Sequence, residues 1–141
     1  LKKEDFVMHE GPRVAIITPV YNGAKFLHDA MTSVQEQSYA NAVHVLLNNA
    51  STDATADVIA TFANARIPVV VFDNPVTLPL AANWNRAVTL GRDGSDYFRI
   101  LCADDMITGD GIEKMVALAE TDPDIAVIAS LRHTSTGIEE F

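Results

Sequence analysis

Two periods alternate along this chain. Val14-Ala15-Ile16-Ile17-Thr18-Pro19-Val20 is a continuous apolar, β-rich run, closed by the turn signal Tyr21-Asn22-Gly23. From Ala24 to about Gln37 the period changes, and Phe26, Leu27, Ala30, Met31 and Val34 recur at helical spacing. Ala42-Val43-His44-Val45-Leu46-Leu47 reads as a second strand. Ser51, Thr52 and Asp53 offer N-cap oxygens to a helix over 54–64. A strand is expected over 67–72, with Pro68 near its start, where a missing N–H is tolerated. A helix over 79–90, ended by Gly91, leads to a strand over 96–102. A last helix over 110–121 stops at Asp122-Pro123-Asp124, and Ile125-Ala126-Val127-Ile128-Ala129-Ser130 reads as a fifth strand. From Arg132 to Phe141 the pattern is lost.

Apolar strands alternating with helices predict the α/β class: a three-layer sandwich with a mainly parallel central sheet, covered on both faces, with right-handed crossovers. Strand 14–20 is expected at the centre, with strand 42–47 beside it. The domain is expected over 13–131, between a leader at 1–12 and a tail at 132–141. No internal repeat or low-complexity linker interrupts it.

Composition narrows the function. The 141 residues suffice for one domain, and 48% apolar with 21% charged residues fits a packed core. A net charge of −9 argues against a nucleic-acid partner and leaves no polybasic membrane patch. One cysteine, Cys102, excludes an internal disulfide and fits a reducing compartment; at a strand end it reads most simply as a small buried hydrophobe. His9, His28, His44 and His133 lack zinc-site spacing and read as surface or satisfied residues. No run approaches the ~20 apolar residues that span a bilayer. Residues 1–12 carry no signal-peptide pattern, although a chain starting at Leu1 reads as trimmed.

Chemistry concentrates at the carboxyl ends of the strands, where open α/β sheets bind ligands. Strand one ends in Thr18-Pro19-Val20-Tyr21-Asn22, strand two in Asn48-Asn49-Ala50-Ser51-Thr52-Asp53, and strand four in Leu101-Cys102-Ala103-Asp104-Asp105. One rim would therefore carry an aromatic ring, polar amides and two carboxylates, which suit a base, a sugar and a metal-bound diphosphate. Asp104 and Asp105 repel each other, with no lysine or arginine adjacent after Arg99. A divalent cation would relieve them; two carboxylates facing water is the plain alternative. GxGxxG and GxxxxGK[ST] are absent, which disfavours a Rossmann dehydrogenase and a P-loop kinase. No GxSxG elbow or cysteine–histidine arrangement points to covalent hydrolysis.

Five segments together carry a resemblance. They are Ile17-Thr18-Pro19-Val20-Tyr21-Asn22-Gly23, Ser33-Val34-Gln35-Glu36-Gln37-Ser38-Tyr39, Asn48-Asn49-Ala50-Ser51-Thr52-Asp53-Ala54-Thr55, Asn83-Trp84-Asn85-Arg86-Ala87 and Leu101-Cys102-Ala103-Asp104-Asp105. In their order and spacing, over about 13–130, the chain resembles the N-terminal, nucleotide-sugar-binding half of the family-2 glycosyltransferases, which have the GT-A fold. Each segment alone is weak; the set is specific.

The resemblance implies transfer of a sugar from a nucleotide-diphosphate donor, a UDP-sugar by preference, to a glycan, lipid-linked or other hydroxyl acceptor, with inversion and with Mn²⁺ or Mg²⁺. It implies that Thr18, Pro19 and Val20 line the nucleotide with backbone and that Tyr21 lies against the base. Asn49 falls where the family usually has an aspartate that reads the base; an amide keeps an acceptor and adds donors. Ser51 and Asn83 fall on the donor side, though helix capping and helix packing explain Ser51, Asn83 and Asn85 equally well, and Trp84 reads as a core anchor. Against the family's Asp-Ala-Asp-Asp, Cys102 takes the first aspartate's place, Ala103 the spacer, Asp104 the metal ligand, and Asp105 a supporting carboxylate. A neutral thiol is a poor partner for Mg²⁺ or a ribose hydroxyl. The family's general base comes from a later segment, so no catalytic base is named and the chain reads as part of a longer enzyme. The expected location is cytoplasmic, with peripheral membrane contact through segments outside this chain. Two other readings remain: a non-catalytic nucleotide-sugar-binding module of the same fold, and a nucleotidyltransferase, whose glycine-rich, arginine-bearing start is absent.

Overall fold

The computed structural model describes residues 11–134 and 137–139. Four strands form one sheet: β1 (Val14–Val20), β2 (Ala42–Asn48), β3 (Val69–Asp73) and β4 (Tyr97–Ile100). Their order is β3-β2-β1-β4 and every neighbouring pair is parallel. Each strand is followed by a helix: α1 (Leu27–Gln35), α2 (Thr55–Ala60), α3 (Leu80–Gly91) and α4 (Gly111–Ala119). The α/β alternation, the parallel sheet and the central place of β1 beside β2 are as expected.

Strand alternation sorts the core onto two faces. Val14 and Ile16 of β1 pack with Val34 of α1 and with Ile112 and Val116 of α4. Further along the same face, Val20 and Leu46 meet Leu27 and Met31 of α1 and Ile59 of α2. Ala15 and Ile17, with Val43, Val45 and Leu47 of β2, face Ala87 and Leu90 of α3. Burying a side chain such as Ile16 or Ile17, each 0% exposed, is worth about 1.5–3 kcal/mol. α3 can lie close because Gly91 has no Cβ; one added there would stand 2.7 Å from the Ile17 side chain.

Two expectations need correction. Residues 125–130 are not a strand: they form no ladder, and Val127 is 85% exposed. The run has strand composition, but a strand exists only where a neighbour's backbone supplies the ladder. Pairing instead begins at Arg132, within the stretch that lost the pattern, where β5 (Arg132–Thr134) and β6 (Gly137–Glu139) form an antiparallel pair. Nor is the sheet covered evenly. β1 and β2 are buried along their whole length, whereas Val70 and Val71 of β3 are 40% exposed and Phe98 of β4 is 49% exposed. Helix α3 packs on β1 and β2 and leaves Val70 and Phe98 partly open on its side, whereas Val71 lies on the opposite face beside Leu46. Residues 1–10 of the expected leader, and 135, 136, 140 and 141 of the expected tail, lie outside the described residues. No helix among the described residues is long and apolar enough to cross a membrane.

Candidate functional site

The carboxyl ends of β1, β2 and β4 open onto a cleft of ≈ 620 Å³. Pro19, Tyr21 and Asn22 line it from β1 and its loop, Asn49 from the end of β2, and Cys102, Ala103 and Asp104 from the loop after β4. A further wall comes from Thr77, Leu78 and Leu80, with Asn83 and Trp84 of α3. The sequence reading missed Thr77, Leu78 and Leu80. The signal was present: the loop after β3 emerges at the same sheet edge as the other three.

The loop after β1 is held by side chains from the loop after β2. Asn22, at φ 48, donates its N–H to Ser51 Oγ at 3.0 Å, and its Oδ1 accepts the Thr52 N–H at 2.8 Å. The Gly23 N–H bonds Thr55 Oγ1 at 2.9 Å and the Ala24 N–H bonds Asp53 Oδ2 at 3.1 Å. Asp53 Oδ1 also takes the N–H of Thr55 at 3.0 Å and its hydroxyl. These bonds, the Thr55 hydroxyl foremost, hold the Asp53 carboxyl below its ordinary pKa. Of the expected capping residues, Asp53 bonds both the first residue of α2 and the loop after β1, while Ser51 and Thr52 bond Asn22. The N-cap of α2 is Ala54, which makes no side-chain cap bond, and the Ser-Thr-Asp segment braces the neighbouring loop.

Thr18 and Val20 do not line the cleft. Thr18 is 0% exposed and its hydroxyl is 2.9 Å from His44 Nε2. Val20 is packed against α1 and α2. Their contribution to the site is the strand that carries Pro19 and Tyr21. His44 is not the satisfied residue expected: it is 0% exposed, its Nδ1 has no partner, and burial lowers its pKa to about 4. Tyr21 is 52% exposed at the cleft. Ser51 is turned to Asn22, and Asn85 lies on the exposed side of α3. Trp84 is half-buried in the cleft wall, and so is Cys102, so neither is the core residue that its type had implied.

Asn49 is 4% exposed, and its amide faces the loop before α3. Its Nδ2 donates to Leu78 O at 2.9 Å, and its Oδ1 accepts from Leu78 N and from Asn74 Nδ2, each at 2.8 Å. Asn74 Nδ2 also donates to Asn83 Oδ1 at 2.9 Å.

At the other end of the cleft, ligand atoms of Cys102, Asp104 and Asp105 lie within 4.8 Å of one another. The turn is closed by the Asp105 N–H on Cys102 O at 3.1 Å. The two carboxylates are not equivalent. Asp105 is half-buried and feels the positive charge of Arg99, whereas Asp104 is exposed at the cleft. Two carboxylate oxygens suit a hard divalent cation; the Cys102 thiol does not. The fit to Mn²⁺ or Mg²⁺ therefore rests on Asp104 first and Asp105 second.

Comparison with known proteins agrees with this architecture. The sequence profile of the family described as "Glycosyl transferase family 2" matches residues 15–141. An uncharacterized glycosyltransferase of Haemophilus influenzae is 32% identical over 105 residues, covering 74% of this chain and 41% of that protein. The putative glycosyltransferase EpsE of Bacillus subtilis is 32% identical over 116 residues, 80% of this chain and 40% of EpsE. The chain thus spans about two fifths of such relatives. Among solved structures, S. aureus TarS superposes with a TM-score of 0.72 at 15% identity, covering 86% of this chain and 39% of that one. The mannosyltransferase PcManGT of Pyrobaculum calidifontis gives 0.62 at 24% identity, over 69% of this chain and 29% of its own.

Proposed function

The chain belongs to the family-2 glycosyltransferases, and from that premise we propose that its cleft is the donor site of an enzyme that moves a sugar from a nucleotide diphosphate, a UDP-sugar by preference, to an acceptor hydroxyl with inversion. One observation carries the reading: an exposed aromatic ring, buried amides and an open carboxylate line a single cleft at the edge where β1, β2 and β4 end. TarS has been solved with UDP-GlcNAc, and PcManGT with GDP-Man and Mn²⁺. Those ligands belong to those proteins; they support the same class of donor here.

In this reading Tyr21 stacks on the base, with Pro19 and the braced loop after β1 as the floor beneath it. Asn49 and Asn83 stand at the base and ribose side, and Ala103 leaves room for the diphosphate to reach Asp104. Mn²⁺ or Mg²⁺, held by Asp104 with Asp105 in support, would neutralise the diphosphate and the charge it gains on departure. The braced loop supplies order without ligand, so little entropy is lost there on binding. The acceptor hydroxyl needs a general base, which is assigned to no residue of this chain.

Titration of UDP by calorimetry, in Mn²⁺ and then in chelator, tests the site. Binding that is tight with the metal and weak without it is expected. Equal affinity in both would overturn the metal assignment and the transfer mechanism with it.

A further inference from the structure

Asn49 stands where the family usually has an aspartate, and the hydrogen bonds around it require an amide. The Leu78 N–H can only donate and the Leu78 carbonyl can only accept, so their bonds to Asn49 at 2.8 and 2.9 Å orient the side chain without ambiguity. Oδ1 faces Leu78 N, and Nδ2 faces Leu78 O. That orientation propagates. Asn49 Oδ1 must take its second bond from a donor, so Asn74 presents its NH₂ there, and the other hydrogen of that NH₂ goes to Asn83 Oδ1. Asn83 is thereby turned so that its donor nitrogen is the polar atom left over at the cleft. All three residues are 4% exposed, so each bond is made away from water, and the arrangement leaves Asn74 Oδ1 buried without a partner.

We infer that Asn49 is a positioning residue: it locks the Asn74–Leu78 loop as the base-side wall of the cleft and does not accept a hydrogen bond from the base. The inference rests on the donor-site reading above. Its ground is an atom count. An aspartate would offer the base an acceptor oxygen, but the single side-chain oxygen of Asn49 already holds two donors. Thr77 and Leu78, which the lock holds in the cleft wall, and the Asn83 donor are then what the base and ribose meet.

Asn49→Ala, made in the full-length protein, separates the alternatives. Truncation leaves the Leu78 N–H, the Leu78 carbonyl and the Asn74 NH₂ without their partner and offers the base no new acceptor. UDP and CDP differ in the base edge, since uracil has a ring N–H where cytosine has an acceptor. A lost lock should weaken both by about tenfold while their ratio holds within about twofold, because the wall moves for either base. Inorganic pyrophosphate with Mn²⁺ should bind as before, since it ends at Asp104. A change of roughly fivefold or more in the UDP-to-CDP ratio would mean that Asn49 reads the base, and would overturn the inference. Unchanged affinities with a lowered melting temperature would make Asn49 mere scaffold and overturn it equally. If the variant does not fold, the unmutated protein decides: with UDP bound, the uracil imino proton should show nuclear Overhauser contacts to residues 77–78 and none to the Asn49 side chain. A contact to Asn49 overturns the inference. If unmutated protein binds neither nucleotide in Mn²⁺, the donor-site reading itself falls, and the inference with it.

Discussion

The two ends of the cleft are built on opposite principles. Around Asn22, Gly23 and Ala24, each backbone N–H meets a side chain from the loop after β2 or the first residue of α2, and Asn49 pins the far wall in the same way. At Asp104 the carboxylate is exposed, and the charge of Arg99 acts on its neighbour Asp105. Neutral hydrogen bonds can be completed within the protein. A charge needs a counter-charge or water, and supplying one permanently would cancel the attraction for a cation. The difference teaches that the end lined by Tyr21 and Asn49 is preformed, while the Asp104 end keeps its charge open to a counter-ion.

The largest expected effect is acid weakening of the fold that carries both ends. His44, under the Thr18 hydroxyl, is neutral in the fold because burial lowers its pKa to about 4 from 6.5. The unfolded chain takes up that proton first, so the stability His44 contributes is complete above pH 6.5 and is lost as pH falls toward 4. The loss integrates to about 3 kcal/mol. Asp53, whose pKa is also lowered, acts in the same direction at lower pH. Denaturant midpoints measured between pH 7 and 4 should fall, and His44→Gln should flatten the curve; parallel curves would remove His44 from the account.

Next comes the open end. Asp104→Asn should lower UDP affinity in Mn²⁺ by about tenfold or more, to the value seen in chelator, with an unchanged melting temperature. Asp105→Asn should do less. The reverse ranking would exchange the two carboxylates.

Thr55→Val removes the hydroxyl that accepts from Gly23 and donates to Asp53. An unpaired N–H at the preformed end should cost about 1–2 kcal/mol in denaturant unfolding, while the ratio of UDP affinities with and without Mn²⁺ stays put. A change in that ratio would show that the two ends are coupled.

The smallest effect sharpens the contrast. Cys102→Asp returns a carboxylate to the cluster and should raise Mn²⁺ affinity in the presence of UDP by roughly threefold to tenfold. No gain would mean that the thiol's place is not part of the cation site.

The sheet, its strand order around β1 and the convergence of three strand ends were legible because burial on both faces demands long apolar runs. The place of Asp104 at the cleft was legible because it directly follows the end of an apolar strand. Residues 125–130 misled because composition measures the appetite of a strand for a sheet, and the ladder needs a partner that no local window contains. Ser51 misled by proximity, since its hydroxyl serves a loop about thirty residues away, and Asp53 divides its two oxygens between that loop and the first residue of α2.

What the sequence by itself determined is the alternation of elements, and with it the edge at which ligands meet this chain, because both follow from periodicities of two and 3.6 residues. Only the tertiary structure decided which way each polar side chain is spent. Asn49, Asn74 and Asn83 are alike as letters. Their hydrogen-bond polarity is set by one peptide group, that of Leu78, which a parallel sheet and a short loop bring within 2.9 Å across a gap of 29 residues.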